Sequence, residues 1–143
     1  MLRWGVIGGV VLGFLVLATH SVLPMLFTPD PAVQSVLASA LIVVGLSQPI
    51  AGFVFVLEGV LIGAGDGLWL AVAQVVVLAL YLPLILLVRA NGPSLLAGTD
   101  TVAGQGHAII VLWLAFVAFM ALRGLALGWR ARGDAWLITG ATR

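Results

Sequence analysis

The chain has 143 residues, of which 63% are hydrophobic and 8% charged, with a net charge of +1. A soluble domain carries about 25% charged residues, so most of this surface cannot be hydrated and the chain is expected to be integral to a membrane. The near-neutral balance excludes a broad nucleic-acid footprint, and the absence of cysteine excludes disulfides and Cys-based metal sites.

Crossing a bilayer takes about 20 apolar residues. Four stretches reach that length, and they predict an all-α membrane domain over residues 1–143 with helices at 4–27, 33–62, 68–88 and 108–127. The first begins after Arg3. Its apolar run is long for a signal peptide, and Ala18-Thr19-His20-Ser21 is a poor cleavage site, so it is expected to stay attached. Glycines at 5, 9 and 13 share one face and would let another helix approach closely. Thr28-Pro29-Asp30-Pro31 then turns the chain and restarts a helix.

The second span is longer than one crossing needs. It carries glycines at 45, 52 and 59, a kink signal at Pro49, and two polar residues, Gln48 and Glu58. Glu58 is the only glutamate in the chain. A carboxylate at membrane depth is costly, faces a bundle interior or a watery cavity, and marks ion or substrate pathways. Its bland alternative is a helix-end carboxylate that reaches the interface. Gln48 would satisfy the carbonyl that Pro49 releases, or else touch ion or substrate. Gly63-Ala64-Gly65-Asp66-Gly67 is a tight turn in which Asp66 is expected to N-cap the third helix. A polar, glycine-rich loop over 91–106 leads to the fourth span, and residues 128–143 read as a polar tail.

Arginine placement sets the expected orientation. With the N-terminus in the cytoplasm, Arg3, Arg123, Arg130, Arg132 and Arg143 lie inside and only Arg89 outside. Both termini are then cytoplasmic, and Arg123, Arg130 and Arg132 would anchor the tail on the anionic leaflet. Trp4, Trp69 and Trp129 fall near the expected interfaces. High Gly, Ala, Val and Leu without lysine suit a GC-rich bacterial genome, and the expected location is a bacterial plasma membrane. His20 and His107 read as interfacial histidines, the serines have no base to activate them, and no motif supports enzymatic chemistry or a metal site.

Two segments carry a resemblance. Phe27-Thr28-Pro29-Asp30-Pro31-Ala32-Val33 resembles the short outside loop after the third helix of each half in MATE multidrug and toxic-compound extrusion transporters. Gln48-Pro49-Ile50 through Phe55-Val56-Leu57-Glu58-Gly59-Val60-Leu61-Ile62-Gly63-Ala64-Gly65-Asp66 resembles the next helix and turn of the DinF-like branch, where the acidic position is usually aspartate. The run from Arg123 to Trp136 is similar to the end of bacterial members. The resemblance covers helices nine to twelve of a twelve-helix, two-lobed antiporter. It implies part of a C-lobe that needs N-terminal helices from another chain or self-association, and is inactive alone. It also implies export of cationic or amphipathic small molecules in exchange for Na+ or H+, with Glu58 as the coupling group; Gln48 stays a second candidate for ion or substrate contact, and no cofactor is implied. Two other readings stay open. One is a stand-alone, dimeric four-helix drug/proton antiporter, although that group keeps its glutamate in the first helix. The other is a non-transporting membrane assembly or regulatory protein.

Overall fold

The structure, a computed structural model, describes residues 2–92, 94, 100–133 and 136. Among them all regular structure is helical: α1 (Leu2–Thr19), a 3-10 turn (Leu23–Leu26), α2 (Pro31–Gly63), α3 (Gly67–Ala90) and α4 (Val102–Arg132). All four α-helices are long and apolar enough to cross a membrane. Part of the expected loop (residues 93 and 95–99) and most of the expected tail, Arg143 included, lie outside the described residues.

Local chemistry explains the ends, including two that differ from expectation. The first helix stops at Thr19 and does not run to 27. Pro24 has no amide hydrogen and its ring crowds the preceding turn, so the chain continues as a 3-10 turn with Pro24 in its first positions. The loosened carbonyls take side-chain partners: Thr19 Oγ1 donates to Leu15 O at 2.7 Å, and His20 Nδ1 lies 2.7 Å from Leu17 O. Helix α2 starts where Asp30-Pro31 foretold, the Asp30 carboxylate accepting from the Ala32 amide at 2.8 Å. Helix α4 starts six residues earlier than the pattern implied and runs through Arg132. Thr101 is its cap, its hydroxyl accepting from the Gly104 amide at 3.1 Å, so the connecting loop is shorter than 91–106.

Helix α2 closes in a Schellman turn. The Asp66 amide donates to Leu61 O and the Gly65 amide to Ile62 O, each at 3.0 Å. Gly65 sits at φ +80, a left-handed geometry that glycine enters without strain.

Successive helices alternate in direction, so α2 and α4 run parallel. Helix α2 is the hub, packing extensively on α1 and on α4, while α3 packs mainly on α4. The α1–α2 seam is made of glycine. A Cβ on Gly9 would stand 2.9 Å from Pro49 Cα, and one on Gly45 would stand 2.7 Å from Leu17 Cγ. Gly5 and Gly52 face each other in the same way. The two glycine rows read from the sequence are thus each other's partner, apart from Gly59, which faces open space. The α2–α4 seam holds the core: Val54, Leu57, Leu61 and Leu127 are fully buried, with Phe53, Trp69 and Trp136 packed around them.

Candidate functional site

Helix α2 runs unbroken through Pro49. The carbonyl that proline leaves without a donor is that of Gly45, and it points at Gly13 of α1, lying 2.5 Å from where a Cβ would be. Only glycine can cover it so closely, through Cα–H···O contact. Gln48 therefore does not take that carbonyl. Its Nε2 donates to Val44 O at 3.3 Å, a carbonyl that Ser47 Oγ also reaches at 2.8 Å. Gln48 is half-buried beside Gly13. It lies ten positions before Glu58, about 15 Å along the helix axis. The structure does not bring these two residues into one site.

Glu58 has other company. Helix periodicity turns it toward α3 and α4, where its Oε1 accepts from Arg123 of α4 in an ion pair and from Gln74 Nε2 of α3 at 3.3 Å. Three helices meet at one oxygen. The side chains of Glu58 and Arg123 are 14% and 22% exposed. The pairing is incomplete: the buried Arg123 Nε has no hydrogen-bond partner, and both donors fall on the same carboxylate oxygen. Arg123 is thus engaged inside the bundle, not on a lipid surface as its place in the arginine count implied.

A second pair lies closer to the end of the bundle. Asp66 sits at the N-cap position of α3, yet its side chain makes no cap hydrogen bond. The carboxylate instead takes both faces of a guanidinium fork: Arg130 Nε donates to Oδ2 at 2.7 Å and Nη2 to Oδ1 at 3.1 Å. Arg130 also stacks on Trp69, 5.1 Å from the ring centroid. A capping aspartate is drawn away from the amides because a charged bidentate partner is the stronger competitor.

Both arginines were missed as site residues. A signal existed. Arg123 and Arg130 are seven positions apart on α4, and Glu58 and Asp66 eight apart across the end of α2. Two parallel helices with matched spacing of opposite charge would align both pairs. Gln74 carries no such signal, since a lone amide in an apolar helix has many uses.

The depth of Glu58 follows from the seam with α1. Gly5 meets Gly52 and Val56, so the Leu2–Trp4 start of α1 stands at the level of residues just before Glu58. Glu58 therefore lies toward one end of the helix bundle, inside it. The apolar cleft between α2 and α4 does not have Glu58 on its walls. His20 and exposed His107 lie toward the other end of the bundle, and among the described residues no His, Cys, Asp or Glu cluster could hold a metal ion.

Comparison with protein-family models, with curated proteins and with solved structures found no match.

Proposed function

We propose that this chain forms four helices of a MATE-like secondary antiporter of the DinF-like kind, in a bacterial plasma membrane, and that Glu58 is its cation-responsive group. One observation carries this reading. The only glutamate of the chain is turned into the junction of three helices and held by a cation that the protein itself supplies.

A carboxylate so placed has two alternatives. It keeps Arg123, or it exchanges Arg123 for Na+ or H+. Exchange removes the bond between α2 and α4 and leaves the Gln74 amide alone on the oxygen that the two donors had shared. An intramembrane carboxylate with an internal competitor couples ion binding to helix packing, which alternating access requires. The incomplete pairing of Arg123 Nε supports this, because an under-satisfied pair costs less to open than a bidentate one. The substrate class, cationic or amphipathic small molecules, rests on the resemblance alone. So does the need for further helices from another chain or a second copy.

A second reading has its own observation. Glu58 lies level with the charged start of α1 and off the α2–α4 cleft. That is where a purely structural ion pair in a non-transporting assembly or regulatory protein would sit.

Efflux of a lipophilic cation from proteoliposomes separates the readings. The chain is reconstituted alone and together with the eight N-terminal helices of a DinF-like transporter, with Glu58 or Glu58→Gln, across imposed Na+ and pH gradients. Gradient-driven efflux is expected only with the added helices, and to be lost with Glu58→Gln. Efflux by the lone chain as a dimer would replace the proposal with the small four-helix antiporter. Efflux indifferent to Glu58→Gln would remove Glu58 from coupling, and absence of efflux in every combination would leave the structural reading standing.

A further inference from the structure

The cleft between α2 and α4 has a shape, a length and a charge that point to one kind of occupant. It is an open groove of about 460 Å³, and Pro49, Phe53, Ala121, Gly124, Gly128 and Arg132 lie along its walls. Glycines 124 and 128 contribute no side chain, so the floor is the smooth surface of α4 itself. Among the described residues Arg132 is the only charged group on its walls, and it stands at one end.

Length decides between a helix and a lipid. From Ala121 to Arg132 the cleft follows α4 for eleven residues, about 16 Å. That is half of a hydrocarbon core of about 30 Å. The inner end is at Pro49, near the middle of α2, whose wall runs from Pro49 to Phe53; the outer end is at Arg132, the last residue of α4. A partner helix crossing the membrane would need a groove along the whole of α4. A single leaflet-deep, apolar slot fits an acyl chain.

The charge fits the same ligand. Arg130 is neutralised by Asp66. Arg132 is exposed and makes no ion pair or hydrogen bond among the described residues. Among the described residues the mouth of the slot therefore offers one guanidinium without a counter-charge, at the end of a membrane-length helix, where anionic headgroups would lie. We propose that the cleft binds one anionic phospholipid, an acyl chain along Gly124 and Gly128 and the phosphate on Arg132. This site is separate from Glu58 and does not depend on the transport reading.

Native mass spectrometry of the full chain in detergent tests it, with dioleoylphosphatidylglycerol and dioleoylphosphatidylcholine titrated separately. One bound phosphatidylglycerol per chain is expected, preferred about fivefold over phosphatidylcholine, the value of one basic residue at an anionic surface. Arg132→Gln is expected to bring the two lipids to parity. Gly128→Leu is expected to fill the slot and displace both; a Cβ there meets the Phe53 ring at 3.5 Å, an ordinary contact. Circular dichroism checks that this variant stays helical, and if it does not, Arg132→Gln decides alone. Equal retention of both lipids by the unaltered chain would overturn the proposal, as would a preference that survives Arg132→Gln. Lipid retained by a folded Gly128→Leu chain would overturn it too. A lipid-free dimer would assign the cleft to a second copy, and glycerol phosphate binding as tightly as the whole lipid would show an anion site without a chain site.

Discussion

Helix α2 meets α1 and α4 through seams of different material. Against α1 it presents glycines and bare backbone: Gly45, the Gln48–Pro49 peptide and Gly52 lie on Gly13, Gly9 and Gly5. Against α4 it presents large side chains, Val54, Leu57 and Leu61, flanked by the Glu58–Arg123 pair. In lipid no hydrophobic force separates protein from solvent, so each seam must hold by contact alone. The first does so by proximity, with many weak contacts and no polar bond to break. The second concentrates part of its hold in one charged junction. A seam of the first kind is either formed or not. A seam of the second kind can be opened by whatever competes for the charge, which is why the proposed cation response is placed at the α2–α4 seam and not at the α1–α2 seam.

The largest effect should come from the glycine seam. Gly9→Leu forces a side chain onto the backbone of Gln48 and Pro49, where even a Cβ would lie 2.9 Å from Pro49 Cα. Overpacking of this kind is expected to cost about 3 kcal/mol, the upper part of the usual range, because backbone cannot step aside as a side chain can. Gly8→Leu, one position along, enters open space and should be neutral or slightly stabilising through helix propensity. Unfolding in mixed micelles, with cysteine crosslinking between α1 and α2, measures both. Equal behaviour of the two variants would mean that α1 does not dock on α2 by its glycines.

The charged junction comes next. Arg123→Gln leaves Glu58 with Gln74 and without a cation. Breaking a fully buried pair costs roughly 3–5 kcal/mol, but 14% and 22% of these side chains remain exposed, so about 2 kcal/mol is expected on the same reasoning. Glu58→Gln combined with Arg123→Gln should recover much of that loss, since neither charge is then stranded. The double-mutant cycle reads the coupling directly. Costs that simply add would show that the two groups do not interact. The ionic hold on the α2–α4 seam would then be absent, and with it the contrast between the seams.

The sequence made the glycine seam legible and hid the charged one, for a physical reason. Gly5, Gly9 and Gly13 are a local pattern, readable within one helix because small residues spaced by four must share a face. Glu58 was legible as an anomaly, a carboxylate among apolar residues. Its partner was not, because Arg123 is 65 positions away and an arginine near a helix end has an equally good reason to face lipid headgroups. The helix ends divide in the same way. Asp30-Pro31 announces α2 by cap and proline together, whereas Thr101 was lost in a polar stretch that holds several other potential caps. Pro49 announced a released carbonyl correctly in kind, but chain order alone pointed to the adjacent Gln48 amide, while the fold covers that carbonyl with Gly13 from another helix.

The smallest effect is expected at the outer pair, and its size tests whether the two arginines of α4 do different work. Arg130 holds Asp66 through two hydrogen bonds and lies on Trp69. By geometry alone it is the better-made pair. Its side chains are no more exposed than those of the inner pair, 20% for Arg130 and 12% for Asp66, but the pair sits beyond the end of α2, where water and salt are expected to screen it more. Asp66→Asn keeps one oxygen for Arg130 and restores a side chain able to cap α3. Its cost should be smaller than that of Arg123→Gln and should shrink further as salt is raised, read from thermal unfolding at low and high ionic strength. The Arg123→Gln penalty should hardly move with salt, since its pair is enclosed by three helices. If Asp66→Asn proved the costlier change, or if both penalties faded with salt alike, the deeper junction would be an ordinary surface pair, and Glu58 would lose the property that sets it apart from the other acids among the described residues.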